Sequence, residues 1–181
     1  MKTKDRQAFN ALNGKGSERA DRLHRFLMES GFDFATGVPC GVLKHIIANL
    51  VGDKRVCHVP ANRESEAIGL AAGAYLAGKK PLVYMQNSGL FAASNDIASL
   101  LVPYGIPALM LISYRGCEGE DAVQHLTTGH ATENLIRSFN LPYEVFDGRK
   151  RDINACVSVL IGLMTERELP AILLLKRGWY V

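Results

Sequence analysis

A chain of 181 residues, 48% of them hydrophobic, is long enough to bury a full core, and its length predicts one domain. A net charge of +3 without a stripe of basic and aromatic residues gives no indication of nucleic-acid binding, and no apolar run reaches the about 18 residues of a membrane span. The N-terminus lacks the apolar segment of a secretory signal, and the four cysteines have neither zinc nor disulfide spacing, so we expect reduced thiols in a cytoplasmic protein.

The predicted strands and helices alternate along the chain. Residues 1–16 are polar and end in Asn13-Gly14-Lys15-Gly16, so we expect a flexible arm followed by one domain over 17–181. The predicted strands are 32–37, 56–59, 81–86, 107–113, 143–146 and 171–175. The predicted helices are 18–30, 42–50, 62–77, 91–101, 130–138 and 150–166. This order predicts an α/β fold with a mostly parallel sheet of about six strands and helices on both faces.

Ligands of such sheets bind beyond the carboxyl ends of the strands. Most of the polar groups that follow predicted strands lie in four loops, 38–41, 60–64, 86–91 and 113–128. No loop carries a glycine-rich phosphate-binding motif, and no group of His, Cys, Asp and Glu has metal-ligand spacing, so we expect no metal site in this chain.

Two carboxylates, Glu64 and Glu66, lie at the head of the predicted helix 62–77, which is otherwise small and apolar. Gly69 and Gly73 each cost about 1 kcal/mol relative to alanine inside a helix, so we expect another backbone to approach them closely. A carboxylate at the start of such a helix is paired, protonated or chemically active.

Other loop residues have both a functional and an ordinary structural interpretation. Arg115 could bind an anionic substrate, or it could be an exposed loop arginine. His125 could act on a substrate, although a single histidine is more often a hydrogen-bonded structural group. Cys40 could be a nucleophile at the start of a helix, and Asn87-Ser88-Gly89 is typical of a tight turn at the end of a strand.

Several short segments together resemble one enzyme family. These segments are Gly37–Cys40, Val59–Ala67, Ala71–Pro81, Met85–Leu90, Tyr104–Pro107, Ser113–Gly116 and Gln124-His125. Over about residues 17–175 the sequence resembles the pyrimidine-binding domain of thiamine-diphosphate decarboxylases, and within them the sulfopyruvate and phosphonopyruvate decarboxylases. The resemblance implies the thiamine-diphosphate-binding fold and a carboxy-lyase activity.

The resemblance also implies which glutamate is catalytic. In this superfamily the glutamate lies nine residues before a helix glycine, and counting back from Gly73 gives Glu64. The family glutamate hydrogen-bonds N1′ of the aminopyrimidine ring, whereas Glu66 would be a supporting neighbour. By the same resemblance His125 has a catalytic role, and Pro39, Asn87 and Ser88 join Glu64 in binding the cofactor. The substrate-binding residues that it implies are Cys40, Asn87, Ser88, Arg115 and His125.

One half of the expected site has no counterpart in this sequence. The diphosphate-binding half of these enzymes carries a G-D-G motif and an asparagine that hold Mg²⁺ and the diphosphate, and this chain has no G-D-G. The resemblance therefore implies a partner β-type subunit that supplies this half and holds Mg²⁺, in a hetero-oligomer that binds neither nucleic acid nor membrane.

The implied reaction converts an anionic 2-oxo acid to an aldehyde and CO2. Arg63-Glu64 favours sulfopyruvate, with sulfoacetaldehyde as the product, over phosphonopyruvate, with phosphonoacetaldehyde. Phe91-Ala92 stands where the family has Gly-Asn, which leaves the substrate open. A third interpretation is a non-catalytic binding module with the same fold, although such a module has no need of Glu64.

Overall fold

The computed structural model describes residues 18–117, 122–149, 151–177 and 179. The predicted N-terminal arm, 1–16, lies outside the described residues. Within these ranges no helix has both the length and the apolar content that crossing a membrane requires.

A single sheet of six strands organises the fold. The strands are β1 (Phe34–Gly37), β2 (Cys57–Pro60), β3 (Pro81–Gln86), β4 (Leu109–Tyr114), β5 (Tyr143–Phe146) and β6 (Ala171–Lys176). Their order in the sheet is β2-β1-β3-β4-β6-β5, and every pair is parallel. The predicted α/β fold with a parallel sheet is therefore confirmed, and all the strands point their carboxyl ends to the same edge.

One helix precedes β1, and the others connect consecutive strands. In chain order the helices are α1 (residues 18–29), α2 (Lys44–Gly52), α3 (Glu64–Leu76), α4 (Asn87–Ala92), α5 (Ser94–Asp96, continued by a π-helical turn, Ile97–Leu101), α6 (Val123–Ser138) and α7 (Ile153–Arg167). A short 3₁₀ turn, Gly41–Leu43, precedes α2. Asp152 begins α7 as a capping residue, because its carboxylate accepts hydrogen bonds from the backbone N–H groups of Asn154 and Ala155.

The two faces of the sheet bury separate cores. On one face α1, α2 and α7 pack against alternate strand residues such as Leu111 and Leu173. On the other face α3 to α6 pack against the intervening residues, such as Met110 and Ile172. β4 is buried along its whole length, as is typical of a central parallel strand covered on both sides.

Two boundaries differ from the prediction in ways that matter for the site. The segment predicted as an exit loop, Asn87–Leu90, is the start of α4, because the Asn87 side chain bonds to a neighbouring loop instead of forming a turn with its own backbone. The long loop predicted over 113–128 ends early, because α6 begins at Val123, so His125 lies on α6. Residue 129, inside that helix, has to be a glycine, because a Cβ there would lie only 2.1 Å from the carbonyl oxygen of Gly116.

The close approach of another backbone that we expected at the glycines of α3 does not come from the described residues, so it stays a prediction for an interface with another chain. Gly69 and Gly73 are exposed, and a Cβ built on either would meet nothing within 4 Å in the described chain. No backbone of the described chain therefore approaches them. Together with Leu76, which is 78% exposed, they form an open small and apolar face of α3, with residues spaced four and three apart along one side of the helix.

Candidate active site

The candidate site lies at the carboxyl edge of the sheet, where β1, β3 and β4 end beside the first turn of α3. The sheet order places β3 between β1 and β4, so the residues that follow these strands are neighbours in space. Glu64, the first residue of α3, reaches this edge because its side chain lies against Gly89 in α4.

The two carboxylates at the start of α3 have different environments. Glu66 Oε2 accepts a hydrogen bond of 2.8 Å from the backbone N–H of Asn62, which satisfies a donor just before the helix. The half-buried Glu64 carboxylate makes no hydrogen bond or ion pair to any residue that the structure describes. One oxygen of Glu66 therefore holds the segment before the helix, whereas both oxygens of Glu64 are available to a ligand.

Gly89 provides the surface on which Glu64 rests. A Cβ built on Gly89 would lie 2.4 Å from Cγ, 2.5 Å from Oε1 and 2.6 Å from Cδ of Glu64. Real Cβ atoms essentially never come this close to another heavy atom, so any larger residue at position 89 would displace the carboxylate. The glycine of the Asn87-Ser88-Gly89 segment thus fixes where Glu64 lies.

Four polar side chains form a connected chain across the ends of the three strands. Ser113 Oγ lies 3.2 Å from Cys40 Sγ, and Cys40 Sγ lies 3.9 Å from Gln86 Oε1. Gln86 Nε2 donates to Ser88 Oγ at 2.8 Å. Ser113 is fully buried and Ser88 is exposed, so this chain, which we call the Ser113–Ser88 chain, runs from the interior to the surface.

Asn87 joins the ends of β3 and β4. Its Nδ2 donates to the carbonyl oxygen of Arg115 at 2.8 Å and to Oγ1 of Thr132 at 2.9 Å, and its Oδ1 accepts from the Arg115 N–H at 3.2 Å. The side chain is fully buried, and three of its four hydrogen-bonding capacities are used within the chain. Its hydrogen bonds hold the Arg115 backbone in place. Its contact with cofactor or substrate stays a prediction.

α6 is held tightly against the loop that follows β4. Gly116 has a positive φ of 73°, and a Cβ on it would lie 1.8 Å from the carbonyl oxygen of His125. His125 is half-buried, and among the described residues its ring has no hydrogen-bond partner. The close contact brings His125 to the same edge as Arg115, while the roles predicted for both side chains stay predictions.

Tyr114, at the end of β4, also holds α6 in place. Its hydroxyl donates to the Gly129 carbonyl at 3.3 Å and lies 3.3 Å from Glu133 Oε1. Burial of the phenol, together with the nearby Glu133 carboxylate, raises the pKa of Tyr114 to about 12. Tyr114 is therefore a neutral hydrogen-bond donor throughout the physiological range, and it fixes α6 to the end of β4.

The turn that carries Pro39 and Cys40 is fixed by β3. The N–H of Val38 donates to the carbonyl oxygen of Tyr84 at 3.1 Å. Gly37 has a φ of 154°, and a Cβ there would lie 1.9 Å from the same oxygen, so only glycine fits. Pro39 is exposed beside this turn, and its predicted cofactor contact is not tested by the structure.

Trp179 secures the continuation of this turn. The indole is fully buried, and its Nε1–H donates to the carbonyl oxygen of Val42 at 3.1 Å, in the 3₁₀ turn that follows Cys40. The sheet and the C-terminal segment therefore hold this turn at two points. We expect the position of Cys40 to be well defined as a result.

Sequence reasoning missed three residues of this site: Gln86, Ser113 and Thr132. Gln86 and Ser113 had a usable signal, since each is a polar residue near the carboxyl end of an otherwise apolar buried strand. Thr132 had none, because a threonine within a helix carries no mark of its distant partner Asn87. Among the described residues, no group of three or more His, Cys, Asp or Glu side chains could hold a metal ion.

Comparison with known proteins places the chain in a family. No protein-family model matches the sequence. The sulfopyruvate decarboxylase subunit alpha of Methanococcus maripaludis is 40% identical over 124 residues, which cover 68% of this chain and 74% of that protein. The corresponding subunit of Methanothermobacter thermautotrophicus is 38% identical over 126 residues, which cover 70% of this chain and 76% of that protein.

A second group of relatives is longer than this chain. The phosphonopyruvate decarboxylase of Streptomyces viridochromogenes is 32% identical over 149 residues, which cover 82% of this chain but only 38% of that protein. The alpha subunits are therefore matched over most of their own length, whereas this chain corresponds to a part of the phosphonopyruvate enzyme. The chain belongs to the family of sulfopyruvate decarboxylase alpha subunits, as its sequence motifs predicted.

Proposed function

We propose that this chain is the pyrimidine-binding alpha subunit of a thiamine-diphosphate-dependent decarboxylase that converts sulfopyruvate to sulfoacetaldehyde and CO2. The observation that carries the proposal is the Glu64 carboxylate, half-buried at the head of α3, resting on Gly89 and unpaired among the described residues. The names of the most similar relatives support the same reaction.

The site suits the aminopyrimidine end of thiamine diphosphate. A carboxylate held in a fixed place with free acceptor oxygens can share a proton with a ring nitrogen, and Glu64 would do this at N1′. When bound, the cofactor supplies an electron-accepting thiazolium ring for the loss of CO2 from a 2-oxo acid. In the overall reaction the C1–C2 bond of the acid breaks, CO2 leaves and a proton takes its place at C2.

The protein's own residues would position the reactants. Gly89 keeps the Glu64 carboxylate in place, and the Asn87 amide holds the backbone of Arg115. The Arg115 guanidinium would neutralise the sulfonate, and His125, at the same edge of the sheet, would contact the substrate or move a proton. Ser88 and Cys40 complete the polar surface between the ends of β1 and β3.

The proposed enzyme needs a partner subunit. The sequence has no G-D-G motif, so we propose that a β-type subunit carries the diphosphate-binding half and most of the Mg²⁺ ligands. The open face of α3 is the surface we propose for its docking. This face starts five residues after Glu64, and its glycines cost helix stability without any close contact to the residues that the structure describes.

Phosphonopyruvate is the second candidate substrate. The similarity to phosphonopyruvate decarboxylase over 82% of this chain favours it, and phosphonate and sulfonate are both anionic head groups that an arginine can bind. Sulfopyruvate remains the first proposal because the alpha subunits show higher identity.

Co-expression with a candidate β-type subunit tests the proposal. The assembled protein, with thiamine diphosphate and Mg²⁺, should release aldehyde from sulfopyruvate, and phosphonopyruvate should be assayed beside it. Glu64→Gln should assemble normally but lose decarboxylation, because an amide cannot share the proton with N1′. Near-normal turnover by Glu64→Gln would refute its role, and full activity of the chain without any partner would refute the two-subunit site. An assembled protein that binds the cofactor without turning over any 2-oxo acid would instead be the non-catalytic module.

A further inference from the structure

The Ser113–Ser88 chain has a definite hydrogen-bond direction. Gln86 Oε1 can only accept, so the S–H of Cys40, the single donor on that thiol, is directed to it. The Ser113 hydroxyl then donates to the sulfur of Cys40. At the other end, Gln86 Nε2 donates to Ser88 Oγ. Every bond therefore runs from the buried serine toward the surface.

This direction leaves hydrogen-bond donors at the exposed end. The second N–H of Gln86 has no partner among the described residues, and the Ser88 hydroxyl, which accepts from Gln86, is left to donate its own proton outward. Aligned bonds polarise one another, which strengthens the terminal donors. A surface that presents two N–H or O–H donors is suited to an oxyanion.

The direction depends on the orientation of the Gln86 amide. If the amide were reversed, its oxygen would face Ser88 and its N–H would face the thiol, and the exposed end would no longer present two donors. In the structure Oε1 faces Cys40 and Nε2 faces Ser88, and this orientation gives the exposed end its donors. The negative charge of Glu64, against Gly89, opposes a second anion nearby. The oriented donors, together with the Arg115 guanidinium, would offset this repulsion.

We propose that Gln86 is a specificity-determining residue that binds the anionic head group of the substrate together with Ser88, and that Ser113 is a positioning residue that acts through Cys40. This inference rests on the proposed function, since it names the recognition element for the sulfonate. The donor end, rather than the thiol itself, contacts the substrate.

The decisive variant is Gln86→Glu, which keeps the shape of the side chain but replaces the N–H donors with a negative charge. The probe is 3-sulfopropanoate, which has the sulfonate and carboxylate of sulfopyruvate but no 2-oxo group and cannot be decarboxylated. Calorimetric titration of the assembled protein should give a Kd about ten- to hundredfold higher than that of the unmodified protein, as expected for a lost hydrogen bond to a charged group.

A matched control distinguishes the loss of a direct hydrogen bond to the head group from a general effect of the added negative charge. Asn95 is an exposed asparagine in α5, and Asn95→Asp adds the same charge away from the chain of hydrogen bonds. Its Kd for 3-sulfopropanoate should stay within about twofold of the original. If both variants weaken binding equally, if Gln86→Glu changes nothing, or if the unmodified protein does not bind the probe, the proposal is overturned. Should Gln86→Glu fail to assemble, Gln86→Met removes the donors without adding charge and is judged by the same criterion.

Ser113→Ala tests the positioning role through substrate preference, a quantity that a general loss of packing would leave unchanged. The ratio of kcat/KM for sulfopyruvate to kcat/KM for pyruvate, which lacks the head group, should fall about tenfold. An equal loss for both substrates, or no loss, contradicts the role. If the unmodified protein decarboxylates neither acid, the proposed function fails, whereas a working enzyme with an unchanged ratio refutes only the role of Ser113.

Discussion

Replacement of Gly89 by alanine tests the geometry of the site most directly. The new methyl group would lie 2.4 to 2.6 Å from three atoms of the Glu64 side chain. Non-bonded carbon atoms settle at about 3.5–4.0 Å, so Glu64 Cγ has to move by about 1 Å or more. The side chain, rather than the backbone, should give way, because Glu64 is half-buried and its carboxylate has no partner among the described residues.

The expected result is a loss of activity without a loss of stability. Misplacement of a reacting group by about 1 Å can reduce the rate by about 10²-fold, so kcat for decarboxylation should fall by about that factor. Gly89 lies inside α4, where alanine is favoured over glycine by about 0.5–1 kcal/mol, so the midpoint of thermal unfolding should not fall.

Steady-state aldehyde formation and thermal unfolding should be measured on the same assembled preparations. Gly162→Ala is the matched control, because Gly162 lies inside α7 and a Cβ there meets nothing within 4 Å. This control should keep its kcat. A Gly89→Ala enzyme with kcat within threefold of the original would refute the idea that Gly89 sets the position of Glu64. A marked fall in unfolding temperature would show that the backbone of α4 had moved instead.

Two further substitutions test other parts of the structure. Arg115→Ala should raise KM for sulfopyruvate by an amount equivalent to about 1.5–3 kcal/mol, because a charged hydrogen bond to the sulfonate is lost, and an unchanged KM would place the guanidinium outside the pocket. Asp152→Ala should lower the free energy of unfolding in urea by about 1 kcal/mol through loss of the α7 cap. Although burial opposes it, hydrogen bonds from Ala155 and Arg22 lower the pKa of the Asp152 carboxyl below the ordinary 3.8, so this stabilisation is complete above that pH and is lost as the pH falls through the lowered value. A difference between the two proteins that persists in strong acid would contradict this origin.

The fold could be predicted from sequence because its strongest signals are local. The apolar run of β4 and the glycine or proline residues between elements mark strands and helices without knowledge of distant contacts. The start of α4 could not be predicted in the same way. Asn87 and Gly89 are typical turn residues, and only the bonds of Asn87 to Arg115 and the contact of Gly89 with Glu64 explain why they belong to a helix.

The candidate site could be predicted only in part. The nine-residue spacing that the family resemblance implies favours Glu64 over Glu66 as the catalytic carboxylate, and this stays a prediction. The structure shows that Glu66 accepts a hydrogen bond from the Asn62 N–H. The role proposed for Gln86 could not be predicted, because it depends on hydrogen bonds that involve Cys40, in the turn after β1, and Ser113, on β4. Such roles follow from the register of three strands and not from any motif.

The bonds of Asn87 limit how the specificity of this enzyme could be changed by engineering. Because one buried amide binds both the N–H and the carbonyl of Arg115, the ends of β3 and β4 shift together or not at all. Insertions or deletions in the loop that follows β4 would break the two hydrogen bonds between Asn87 and Arg115 before they widened the pocket. Mutant libraries intended to admit other 2-oxo acids should therefore leave this backbone unchanged and vary the side chains that stand on it.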